Sequence, residues 1–226
     1  KLMTAEIKAD QPLKKIVASP AGRAFLALLL VLIIGVIFNA DGAFFKIGTH
    51  RDALRQMSVY GILACGMTLV IISGGIDLSV GSVLALVAVC AAQMAIHWNW
   101  SGWLVLPACL IIGGLCGGLS GIVTARLRVQ PFIATLAMMV FARGLAKYAS
   151  GGMKVSTAIA NPDGTYRYVD VPPFFRDIDH RVLGGNVSVV TLIFIVCVAA
   201  AWLLMSKHRW GRYLYAVGGN EEASRL

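Results

Sequence analysis

Apolar residues in this chain come in long unbroken runs, with the polar residues gathered between them. Such runs predict membrane-spanning helices, because a bilayer core about 30 Å thick is crossed by roughly 20 apolar residues in a helix. Six spans are predicted, over residues 24–38, 57–72, 81–96, 103–125, 131–149 and 187–205. The fold class that follows is all-α, a polytopic transmembrane helical bundle. A membrane β-barrel would alternate polar and apolar residues, and these runs do not. Pro131 opens the fifth span at the position where a missing N–H is harmless. Trp98, Trp100 and Trp103 mark an interface between spans three and four. Residues 39–56 are expected to form an amphipathic connector, and the longest loop, 150–186, to hold a short helix or hairpin.

The run from Met57 to Ile96 is too long for one span. About forty residues would rise roughly 60 Å at 1.5 Å each. The break falls at Ser73-Gly74-Gly75-Ile76-Asp77-Leu78-Ser79. Non-helical backbone near lipid is tolerated only where protein or a wet cavity surrounds it. A carboxylate there is paired, hydrated or capping a helix. Two readings stand. One is a tight turn at the membrane edge, with Asp77 or Ser79 accepting N–H groups of the next helix. The other is a structured re-entrant turn near a translocation path. Span five supplies further path candidates in Phe132 and Thr135, with Met138 and Met139 beside them, although a packing face accounts for these equally well. In span four, Gly113, Gly117 and Gly121 recur every four residues, which lets a neighbouring backbone approach or opens a path; packing is the preferred reading. Arg143 is expected to snorkel outward or pair with a loop aspartate, with a contact in the path as the alternative.

Composition agrees with the pattern. Hydrophobic residues are 58% of the chain and charged residues 14%, with mean hydropathy +0.77. The net charge of +9 does not call for nucleic acid, because the basic residues lie between spans. They set topology instead: with the N-terminus inside, eleven Lys and Arg fall on the inner side and seven on the outer, Arg143 and Lys147 lying within a span. This gives a cytoplasmic tail at 1–23, a transmembrane domain at 24–205 with a periplasmic loop at 150–186, and a cytoplasmic segment at 206–226. The first apolar run reads as an anchor rather than a cleaved signal. Cys65, Cys90, Cys109, Cys116 and Cys197 lie in apolar runs without metal-ligand spacing, and read as small buried hydrophobes. No nucleotide loop, zinc motif or nucleophile elbow is present. No catalytic residue and no metal site is therefore assigned.

The last residues have their own logic. Gly218-Gly219 ends a helix or makes a turn, and Asn220 caps a new one. Glu221 and Glu222 then occupy its first turn, where the helix dipole favours negative charge. A docking knob for a soluble partner and an ordinary solvated cap are both open on this evidence.

Three blocks together resemble the permease subunits of ATP-binding-cassette importers for monosaccharides of the ribose, xylose, arabinose and galactose class. They are Gly66 through Ser82, then Pro131-Phe132-Ile133-Ala134-Thr135-Leu136 with Arg143-Gly144-Leu145, and Gly211-Arg212 through Leu226. The resemblance implies an inner-membrane permease dimer, two cytoplasmic ATPase subunits that bind the ATP, and a periplasmic sugar-binding protein. No cofactor is implied for the permease itself. It also implies that Gly218, Gly219, Asn220, Glu221, Ala223 and Arg225 belong to the segment that docks on the ATPase. Family permeases have about ten spans, so the chain is expected to be a fragment, an expectation resting on analogy. A stand-alone carrier or channel is the rival, and it would call for an inverted repeat and more intramembrane charge.

Overall fold

The computed structural model describes residues 19–39 and 41–225. The expected tail at 1–23 therefore lies mostly outside the described residues. Six helices are long and apolar enough to cross a membrane, and the chain is an all-helical bundle with two small hairpins. It divides into two compact units, 1–53 and 54–226.

In the first unit, α1 (Pro20–Ile37) starts at Pro20 rather than Ala24. Ser19 caps it, its Oγ accepting the Gly22 N–H at 3.0 Å. Gly42, at φ +80°, turns the chain into a short 3-10 helix, Ala43–Phe45. The Phe44 ring lies over Gly35, where a side chain would collide with it, and meets Phe45 and His50 edge-on at 5.6 and 5.5 Å. The next helix, α2 (Ile47–Ile72), begins ahead of the predicted Met57. Most of the expected connector is thus helical. Composition marks where the bilayer begins, and this helix runs past that point.

The second unit is built on three helices. They are α3 (Val80–Ala92, extended by one π-type turn, Gln93–His97), α4 (Gly102–Leu127) and α5 (Pro131–Ala149). Leu86, Cys116, Met138, Ala142 and Ala146 form the core between them, and Ala142 is fully buried. Small residues dominate the contact, as expected where lipid offers no hydrophobic drive and close packing has to hold helices together. A polar layer lies one turn from this core, made of Ser82, Ser120 and Thr135, all buried. The hydroxyls of Ser82 and Ser120 have no partner among the described residues. Of the five cysteines only Cys116 is buried; the rest are half-buried and all are free.

The loop 150–186 folds into a hairpin of β1 (Ala158–Ala160) and β2 (Tyr166–Tyr168), then α6 (Pro173–Ile178), then a second hairpin of β3 (Arg181–Val182) and β4 (Val187–Ser188). Thr165 donates its hydroxyl and its N–H to Asp163, at 2.6 and 3.0 Å, and holds that carboxyl below the usual range. Phe175 of α6 packs on the cluster Met94, Ala95 and Val105 at one end of the three-helix core. Phe174 covers Gly102 and meets Trp103 at 5.1 Å. Arg55 of α2 forms an ion pair with Asp179.

Two strand residues precede the last span, so α7 (Val189–Lys207) starts at Val189 rather than Val187, with the Ser188 Oγ accepting the Val190 N–H at 3.1 Å. The final helix, α8 (Arg209–Gly219), turns sharply off its end. A single 3-10 turn, Ala223–Arg225, follows.

Candidate functional site

The break between α2 and α3 is a defined structure. Four carbonyls at a helix C-terminus lack intrahelical partners. Here Ser73 donates its N–H to Leu69 O at 3.2 Å, Gly74 to Ile71 O at 3.0 Å and Gly75 to Val70 O at 2.9 Å. With Gly74 at φ +81°, this is the paired 5→2 and 6→1 closure that ends many helices in a left-handed glycine. The Ser73 Oγ adds a bond to Val70 O at 2.8 Å. The fourth carbonyl, of Ile72, takes none of these bonds.

From Gly75 the chain runs non-helically to Ser79. Asp77 Oδ1 accepts both the N–H and the hydroxyl of Ser79, at 2.7 and 2.6 Å. Of the two predicted caps, Asp77 therefore acts, folding the turn onto itself. The side chain of Ser79 makes no capping bond to α3, but its carbonyl opens the helix by accepting from Ser82 and Val83 at 2.9 Å each. The turn is anchored to α5. Thr135 Oγ1 donates within 3.2 Å of Ile76 O, and within 2.9 Å of Pro131 O in its own helix. A Cβ on Gly75 would sit 3.1 Å from Val70 Cγ1 and 3.9 Å from Pro131 Cβ. Gly74, Gly75, Asp77, Ser79 and Thr135 thus form one local constellation. Phe132 stands beside it, exposed.

The C-terminal helix reaches this constellation. Gly211 is buried where α8 folds back across the end of α7, and a Cβ there would lie 2.5 Å from the carbonyl oxygens of Leu204 and Met205. At the other end of α8, the backbone of Gly218 lies on the Ile72 carbonyl that the turn leaves over. A Cβ at Gly218 would overlap that oxygen and come within 3.4 Å of the Ser73 carbonyl carbon, and one at Gly74 would lie 3.9 Å from Gly218 Cα. Asn220 closes α8 through its N–H to Ala216 O at 3.0 Å, while its Oδ1 accepts the Ala223 N–H at 3.0 Å. It therefore ends one helix and caps the next turn, as the Gly-Gly-Asn sequence predicts. Gly219 meets nothing within 4 Å, and Glu221 and Ala223 are exposed.

Other predicted residues lie elsewhere. Along the α4 stripe, Gly113 meets Val87 Cγ2 at 3.9 Å, and Gly117 and Gly121 meet nothing within 4 Å among the described residues. The faces of α4 that pack inside the chain are those of Cys116 and Val105. Arg143 is exposed on α5. Sequence reasoning had both the break and the tail but missed their contact, which has no local signal. It also missed Gly61, which lies under the Phe194 ring of α7. The buried Ser58 was missed too, its hydroxyl bonding Leu54 O at 2.7 Å and Thr191 Oγ1 of α7 at 3.0 Å.

Residues 51–226 match the family described as the branched-chain amino acid transport system / permease component. The chain is 39% identical over 204 residues to the ribose import permease protein of Haemophilus influenzae, covering 90% of this chain and 59% of that one. It is 34% identical over 216 residues to the fructose import permease protein of Rhizobium meliloti, with 92% and 56% covered. The galactofuranose transporter permease protein of Escherichia coli strain K12 is 35% identical over 214 residues, with 88% and 56% covered. The chain thus spans less than two thirds of the length of these curated relatives. No solved structure matches it.

Proposed function

This chain belongs to the permease-component family of the branched-chain amino acid transport system, and from that premise we propose that it builds the translocation path of an ATP-driven monosaccharide importer. It is a multi-pass membrane protein with six candidate spans. The observation that carries the reading is identity of 34–39% to permeases named for ribose and fructose import over at least 90% of the chain. A monosaccharide is the substrate class that these relatives' names share.

In this reading the chain sits in a bacterial inner membrane with its N-terminus and segment 206–226 in the cytoplasm. It pairs with a second permease copy, receives sugar from a periplasmic binding protein, and docks on two ATPase subunits through Gly218 to Arg225. It binds no ATP and hydrolyses none. The glycines of the α4 stripe pack a helix from outside the described residues. The break with Asp77 and Thr135 lines or borders the path at its cytoplasmic end. ATP closes the ATPase pair, the docked segments move, and the spans exchange between outward-open and inward-open packings. The sugar biases that exchange only as far as its affinity differs between the two states.

The test is purification of the full-length protein with its candidate ATPase, followed by hydrolysis assays with a panel of sugar-loaded binding proteins. Co-purification and stimulation by one sugar are expected. Sugar accumulation with no ATPase present would overturn the reading in favour of a stand-alone carrier.

A further inference from the structure

We infer that Gly218 is a positioning residue of the transport cycle: its backbone joins the end of α8 to the Ile72–Gly74 break, so that displacement of the C-terminal segment moves the break directly.

The inference rests on the proposed docking of residues 218–225 and adds the route by which that docking reaches the membrane. Three observations carry it. Most terminal carbonyls of α2 are satisfied by the turn itself, and the one left over, of Ile72, is covered by Gly218. Both sides of the contact are backbone, so no side chain is present to flex and absorb a push. Even a methyl group at Gly218 overlaps the Ile72 oxygen, whereas Gly219 next to it has open space. The two adjacent glycines therefore separate: Gly218 faces the break and Gly219 faces away from it. On the far side, the break holds α5 through Thr135 and Ile76 O at 3.2 Å. A push on α8 thus arrives at the joint of α2 and α3 and at the first turn of α5, all within one backbone contact and one hydrogen bond.

The test uses the full-length permease with its ATPase and binding protein in proteoliposomes. Ile76, exposed within the break, is replaced by Cys in a cysteine-free background. Its labelling by a membrane-impermeant thiol reagent is compared without nucleotide and with ATP trapped by vanadate. The rate is expected to change about fivefold or more, the lower end of allosteric couplings. Gly218→Val is expected to keep the ATPase bound and to lose that change. Gly219→Val and Glu221→Lys are expected to weaken ATPase binding itself, and normal binding and uptake in both would count against the docking assignment alone. A Gly218→Val protein that keeps the nucleotide response overturns the inference, as does one that sheds the ATPase. Should that variant fail to fold, a native chain whose Ile76→Cys labelling ignores nucleotide overturns it as well.

Discussion

The helices α3, α4 and α5 are held together differently from α2 and α7. The first three share a continuous interior of Leu86, Cys116, Met138, Ala142 and Ala146. Much less of α2 and α7 is buried. They meet through one hydroxyl pair, Ser58 with Thr191, and one ring over a glycine, Phe194 on Gly61. A close-packed interior resists continuous deformation. A pair of helices fastened at a few points has less to lose on moving, and mobile elements are drawn from such low-contact regions. The break and α8 lie between the two regions, each touching both a helix of the core or its edge and a helix of the frame.

The sharpest way to break this contrast is to overfill the core. Ala142→Leu has nowhere to put its added carbons and should cost about 1–3 kcal/mol, read as a lowered thermal unfolding midpoint in detergent. A midpoint unchanged from wild type would mean that α3–α5 is no tighter than the frame. The next effect is expected at Gly61→Ala, where only the Phe194 ring obstructs; about 1 kcal/mol is expected because a ring can swing where a packed core cannot. A loss as large as that at Ala142 would erase the distinction. Third, a double-mutant cycle of Ser58→Ala with Thr191→Val should return a coupling of about 0.6 kcal/mol, typical of hydrogen bonds between membrane helices. Zero coupling would leave the frame held by shape alone. The smallest effect is expected for Ser82→Ala. It removes a buried hydroxyl that bonds nothing among the described residues, so stability should be unchanged or slightly raised. A clear loss would reveal a partner for that hydroxyl.

The two regions also differ in how far the sequence announces them. Span existence, the proline start of α5 and the glycine break are legible because each is a local property: run length, a missing N–H, a left-handed residue. The start of α2 at Ile47 is not. Arg51, Asp52 and Arg55 look like a connector, yet they ride on a helix of 26 residues that outreaches the apolar stretch. The glycines are the clearest case. Even spacing drew attention to Gly113, Gly117 and Gly121, which have little or nothing against them within this chain. Gly35, Gly61, Gly102 and Gly218 show no spacing at all, and each is required by a ring or a carbonyl that lies over it. Only for Gly35 is the partner near in sequence. Gly218 and Ile72 are far apart along the chain, and nothing between them hints that they meet.

The seat of Gly211 has a mechanical consequence. With the carbonyl oxygens of Leu204 and Met205 pressed where its side chain would be, the corner between α7 and α8 has no slack. The short helix is not free to swivel about its own root. A force on its far tip is handed to α7 as a tilt, which makes the last span and the helix below it the two arms of a bent lever whose fulcrum is a single missing methyl group.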